Sequence, residues 1–189
     1  MNTVLHTVTN VGDWQGDTLR RIDERLENTG SLPVRLNWDG IEMDDPDHFT
    51  DAGAHVFASR LAEEVAPHVQ TPTIHILTDS TVDYNDWSME GEYDQKSSHT
   101  IIRAFHDRGI SATVDAVGGS GFVAGAKYNK HFRTRLSRHM TTVHAPTTIL
   151  LMGGWNDAFS GHSVTLILDC ITSCVNIAMH GVRPRQPPP

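Results

Sequence analysis

Residues 149–161 read ILLMGGWNDAFSG. An unbroken apolar run, Ile149 to Met152, stops at two glycines and passes into Trp155, Asn156 and Asp157. A strand that is apolar on both sides is buried on both faces, as in a parallel sheet covered by helices. The same kind of run recurs along the chain at Thr3–Val8, Pro33–Asn37, Thr73–Leu77, Ala112–Val117 and Thr147–Met152, each bounded by turn residues. Helical stripes lie between these runs. Leu19, Ile22 and Leu26 form one, closed by Gly30. Phe57, Leu61 and Val65 form another, with Thr50 or Asp51 as N-cap. Ile101, Ile102 and Phe105 follow a Ser98 cap and precede Gly109. Tyr128, Phe132, Leu136 and Met140 recur every four residues, and a last helix over 162–180 is apolar nearly all round.

Strand and helix thus alternate, which predicts an α/β fold with a five-stranded parallel sheet and helices on both faces. Residues 1–182 read as a single domain and 183–189 as a proline-rich tail that cannot continue a helix. A chain of 189 residues with 38% hydrophobic and 20% charged content is long enough for a sizeable core and is not of disordered composition. A formal net charge of -8 argues against a general nucleic-acid binder. No stretch has the length and apolarity of a membrane span. The start MNTVLHTVTNVGDW lacks the basic and apolar regions of a secretory signal, so a cytoplasmic location, or release without a signal peptide, is expected. The two cysteines, Cys170 and Cys174, share a helix face and read as small buried hydrophobes. Twelve histidines are scattered without a compact ligand set, so no metal or other cofactor is expected.

Ligands of such sheets bind beyond the carboxyl ends of the strands, and each end carries a candidate group. After 73–77 comes Thr78-Asp79-Ser80, a serine at a strand-to-helix turn. After 112–117 comes GGSGF, where Gly118, Gly119 and Gly121 permit close backbone approach. After 147–152 comes Asn156, whose amide could donate to an oxyanion or could cap the next helix. After 33–37 come Asp45 and His48, spaced so that one turn of chain lets the carboxylate orient the imidazole. A nucleophile, a base with its orienting acid, and oxyanion donors are the parts of an acyl-transfer site. Each has a bland reading as a turn or cap when taken alone, and their occurrence at one sheet edge favours the joint one. The loop 82–98, with five acids, one lysine, Tyr84, Trp87 and Tyr93, is long enough to be a lid or binding wall. The run 127–138 holds five Lys and Arg residues and reads as a solvated helix face.

These residues resemble the SGNH, or GDSL-like, hydrolase family. Its four blocks are matched by Thr78-Asp79-Ser80, by Gly121 within VGGSG, by Gly154-Trp155-Asn156-Asp157, and by Asp45-Pro46-Asp47-His48 with the helix after it. The resemblance implies a three-layer, flavodoxin-like α/β/α sandwich. It implies Ser80 as nucleophile, His48 as base and Asp45 as its support. The oxyanion hole would be the N–H groups of Ser80 and Gly121 and the Asn156 side chain. Apart from the resemblance, Tyr84, Trp87 and Tyr93 of the acidic loop are candidate substrate contacts, and Trp155, in the variable place between Gly154 and Asn156, either lines the acyl pocket or packs. Two features depart from the family. Thr78 stands where a glycine is usual, and the block order is histidine, serine, glycine, asparagine, with the histidine first instead of last. Moving the N-terminal part behind the last helix restores the family order, so the chain reads as a circular permutant joined near 66–73.

The resulting expectation is a serine esterase acting on a small-molecule or glycan ester. The alternative is a decayed glycan- or protein-binding module on the same fold. An aspartyl-nucleophile phosphatase built on Asp79 is a further rival, although Thr81 stands where its second acid belongs. The helix 162–180 would serve as core or as a homodimer face.

Overall fold

The computed structural model describes residues 3–8, 20–22, 24–25, 28–43, 49–79, 96–142 and 148–180. The strands are β1 (Thr3–Val8), β2 (Leu32–Pro33), β3 (Thr73–Thr78), β4 (Ser111–Ala116) and β5 (Thr148–Gly153). The helices are α1 (described at 20–22 and 24–25), α2 (Asp51–Val65), α3 (Lys96–His106), α4 (Phe132–Thr142), the short α5 (Trp155–Phe159) and α6 (Val164–His180). The strands form one sheet in the order β2-β1-β5-β3-β4, and every described pairing is parallel.

The absence of alternation in ILLM follows from this arrangement. Ile149 and Leu151 point to one face, against α4, α6 and Ile22 of α1. Leu150 and Met152 point to the other, against α2 and α3. On β3, Leu77 joins the first cluster, while Ile74 and Ile76 join the second. Both faces therefore bury side chains worth about 1.5–3 kcal/mol each on removal from water, and the result is an α/β/α sandwich. No described helix is long and apolar enough to cross a membrane.

Four expectations need correction. The strand expected over Pro33–Asn37 is only Leu32–Pro33. It is an edge strand with a single neighbour, and the next residues turn inward so that Val34, Leu36, Trp38 and Ile41 pack on the α2/α3 cluster. Arg60 takes over the backbone there, donating from Nη1 to the carbonyls of Asn37 (2.8 Å) and Asp39 (2.7 Å). Tyr128 is not on the α4 stripe. It sits in a single 3-10 turn, Ala126–Tyr128, flanked by left-handed Gly125 and Asn129, and is 61% exposed. Ser98 lies inside α3 and does not precede it. Arg135, read as part of a solvated face, is only 6% exposed.

Helix α6 is less uniformly buried than its composition suggests. Ile167, Leu168, Ile171, Cys174, Val175 and Ala178 face the core, whereas Thr165, Leu166, Asp169 and Asn176 are exposed. Cys174 is fully buried, and burial pushes its thiol pKa up. Thr50 caps α2 as expected, its hydroxyl accepting from the Gly53 N–H at 2.9 Å.

Candidate active site

Strands β3 and β5 are neighbours, but the helices that follow them lie on opposite faces, α3 on one and α6 on the other. A parallel sheet opens a crevice at such a place, beyond the strands' carboxyl ends. Asp79 leaves β3 there, and Gly154, Trp155 and Asn156 leave β5. The two strand ends touch. A Cβ added to Gly153 would lie 3.3 Å from Asp79 Oδ2 and 2.7 Å from Phe132 Cζ. Gly154 takes φ 123°, a value that side-chain-bearing residues avoid, and this turns the chain from β5 directly into α5.

Beyond β4 the chain forms the glycine loop, residues 117–125. Two residues from the end of β5 hold it. Asn156 Nδ2 donates to the Ser120 carbonyl at 2.9 Å. The Asp157 carboxylate accepts three backbone N–H groups, from Phe122 at Oδ2 and from Val123 and Ala124 at Oδ1, each at 2.8 Å. Charge-assisted bonds of this kind are about twice as strong as neutral ones. Asn156 is therefore not the cap of the following helix. It lies within α5, and its amide spans to the neighbouring loop. An amide nitrogen carries two hydrogens. Its bond to Ser120 uses one, and the second has no partner among the described residues.

The Gly121 N–H donates to the Ala124 carbonyl at 3.2 Å, and the Gly121 carbonyl accepts from the Phe132 N–H at 2.9 Å. Gly121 thus links the loop to the start of α4. Its missing side chain is required by contact, because a Cβ there would lie 2.4 Å from Asp157 Oδ2.

On the far side of the sheet, Met43 and Phe49 pair as an isolated antiparallel bridge. Phe49 stacks on Phe57 (centroids 4.6 Å apart) and on Trp38 (6.0 Å). The Thr50 N–H donates to the Glu42 carbonyl at 3.2 Å, and Gly53 leaves room for that carbonyl. Asp45 and His48 lie outside the described residues, between these two anchored flanks. Ser80, Tyr84, Trp87, Tyr93 and the tail 183–189 also lie outside them. Trp155 is half-buried, and its neighbour in α5, Phe159, is 85% exposed.

No protein-family model matches this chain, and no curated protein or solved structure does. The site therefore stands on its own geometry. That geometry brings Gly121, Asn156 and Asp79 to the carboxyl edge of adjoining strands. Two features had no signal in the sequence reading. Asp157 organises the glycine loop, and Arg135 is buried beside it. Among the described residues, no group of three or more His, Cys, Asp or Glu is placed to hold a metal ion.

Proposed function

We propose that the protein is a serine esterase of the SGNH type in circularly permuted form. The observation that carries the reading is the strand order. Taken from β3 onward, the strands run β3, β4, β5, β1, β2, and their places across the sheet are then second, first, third, fourth, fifth. That is the doubly-wound order of the flavodoxin-like class. The joint supports it too. α2 passes through one 3-10 turn, Ala66–His68, and a few residues later into β3. α6 packs against β1, the strand it would enter in the unpermuted order.

In this reading His48, oriented by Asp45, removes the proton of Ser80 as Ser80 Oγ attacks the ester carbonyl carbon. The C–O bond to the alcohol breaks, His48 returns the proton to the leaving alcohol, and water then hydrolyses the acyl-enzyme. The oxyanion is held by the Ser80 N–H, by the second hydrogen of Asn156 Nδ2, and by the Gly121 N–H. Gly121 must exchange its 3.2 Å bond to Ala124 for the oxyanion. That bond is long for N–H···O, so the exchange sacrifices little. Tyr84, Trp87 and Tyr93 in an acidic loop suit a neutral or cationic ester or the ring of a sugar.

A specific observation favours a second reading, a binding module with decayed catalysis, because the two candidate donors among the described residues, Asn156 Nδ2 and the Gly121 N–H, already bond carbonyls of the protein. One experiment separates the two. A fluorophosphonate probe should label Ser80 in the folded protein, with Ser80→Ala as blank, and an acyl series from acetyl to octanoyl should show turnover. A folded wild-type chain that neither labels nor turns over any short ester belongs to the binding reading.

A further inference from the structure

We propose that Arg135 is a positioning residue for this site, a brace that holds the end of β3, from which the chain runs on to Ser80, at a fixed separation from the glycine loop. The inference rests on the serine-esterase reading. Arg135 lies in the first turn of α4 and points inward to where β3 and β4 end. Nη1 donates to the Thr78 carbonyl at 3.0 Å and to Ser120 Oγ at 2.9 Å. Nε and Nη2 engage the Asp115 carboxylate at 3.2 and 2.8 Å, and Nη2 also donates to the Asp115 carbonyl.

Thr78 is the last residue of β3 and stands two residues before Ser80 in the sequence. Ser120 is one residue before Gly121. Its hydroxyl donates to the Val117 carbonyl at 2.6 Å while accepting from Arg135, and its own carbonyl takes the Asn156 amide. One planar group therefore ties the nucleophile strand to the loop that positions two oxyanion donors. The Phe132 ring, 5.5 Å from Arg135 Cζ, backs the guanidinium and also abuts Gly153.

Stability alone is a poor account of this cation. A buried ion pair returns little net stability against its desolvation cost, and apolar side chains of similar volume often do as well. A guanidinium supplies what they cannot, several donors in a rigid fork that meets acceptors on three chain segments, the ends of β3 and β4 and the glycine loop. Lysine keeps the charge and loses the fork.

The test compares wild type, Arg135→Lys, Ser120→Ala and, as control on the exposed side of the same helix, Arg133→Lys. The readouts are the rate of fluorophosphonate labelling and the split of kcat from KM on the best ester. Arg135→Lys is expected to slow labelling and lower kcat roughly 10- to 100-fold, the scale of a small misplacement of reacting groups, with KM little changed. Ser120→Ala, which keeps the Arg135–Asp115 pair, should lower the same two quantities in the same direction, and it carries the test if Arg135→Lys does not fold. Arg133→Lys should match wild type. If folded Arg135→Lys, or Ser120→Ala in its place, labels and turns over at the wild-type rate, the brace is refuted while the esterase reading stands. If wild type itself is not labelled, the esterase reading fails, and the positioning role fails with it.

Discussion

The carboxylate of Asp157 occupies the space that a side chain on residue 121 would need. A Cβ at Gly121 would lie 2.4 Å from Oδ2 and 2.8 Å from the carboxylate carbon. The same carboxylate receives the N–H groups of the next three residues. The glycine loop, which follows β4, is thus folded around an acid from the end of β5, on the far side of β3 in the sheet and 33–35 positions away in the chain. Replacing Asp157 by Asn removes the charge and presents an N–H₂ group toward backbone donors. Leaving buried donors unsatisfied costs about 1–3 kcal/mol each. The urea midpoint of Asp157→Asn should fall clearly, and Gly121→Ala should fall with it. A Gly121→Ala protein as stable as wild type would show that the contact is not tight.

Asn156 has a different balance. Its amide holds Ser120 and, in the esterase reading, also meets the oxyanion. Asn156→Ala should lower kcat on the order of 10²–10³, the cost of one oxyanion donor, with a smaller effect on KM. Steady-state kinetics check this. An unchanged kcat would remove Asn156 from the chemistry.

Gly53 packs against the backbone of Glu42, just ahead of the segment that carries Asp45 and His48 in the esterase reading. A Cβ there would lie 1.8 Å from the Glu42 carbonyl oxygen, which is backbone and cannot step aside alone. Gly53→Ala must therefore displace either the first turn of α2 or the segment ahead of Asp45 and His48. Thermal melts should show a destabilised protein, and any folded fraction should label poorly with the fluorophosphonate. Ala52→Gly, at an exposed position one residue earlier, should leave labelling unchanged.

Two strand histidines make stability depend on pH. Burial, with Arg35 adding, holds His6 at about 4. Burial, then the His139 ring stacked 3.5 Å away, holds His75 at about 3. Both folded values lie below the usual 6.5. The unfolded chain therefore binds protons first as pH falls, and it gains relative to the folded state. Stability from these groups is complete above about 6.5, is lost progressively as pH falls toward 4 and then 3, and changes no further below that. Urea midpoints at pH 7.5 and pH 5 should differ in that direction, and His75→Gln should reduce the difference. Equal slopes for His75→Gln and wild type would show that this histidine does not contribute.

Where residues act on their near neighbours, the sequence was a sufficient guide. The two-sided apolar runs at 3–8, 73–78 and 148–153 are strands, the Phe57/Leu61/Val65 stripe is a buried helix face, and Thr50 is its cap. Each of these depends on a period or a turn spanning a few residues. The edge strand at Pro33 was overestimated because propensity does not report that a strand has only one neighbour. The burial of Arg135 is not legible because a basic run on a helix has the same pattern whether or not an acid and two acceptors from distant chain segments lie beneath it.

The sequence by itself determined the α/β class, the five strand segments and the residue types waiting at their ends. Tertiary structure alone decided the strand order, the inward turn of Arg135, and the partners of Asn156 and Asp157. The physical reason is range. Backbone preferences and apolar periodicity are set within a turn or two of chain, whereas the Asn156–Ser120 and Arg135–Thr78 bonds join positions 36 and 57 residues apart. Such bonds exist only after the core has brought the ends of β3, β4 and β5 to one edge.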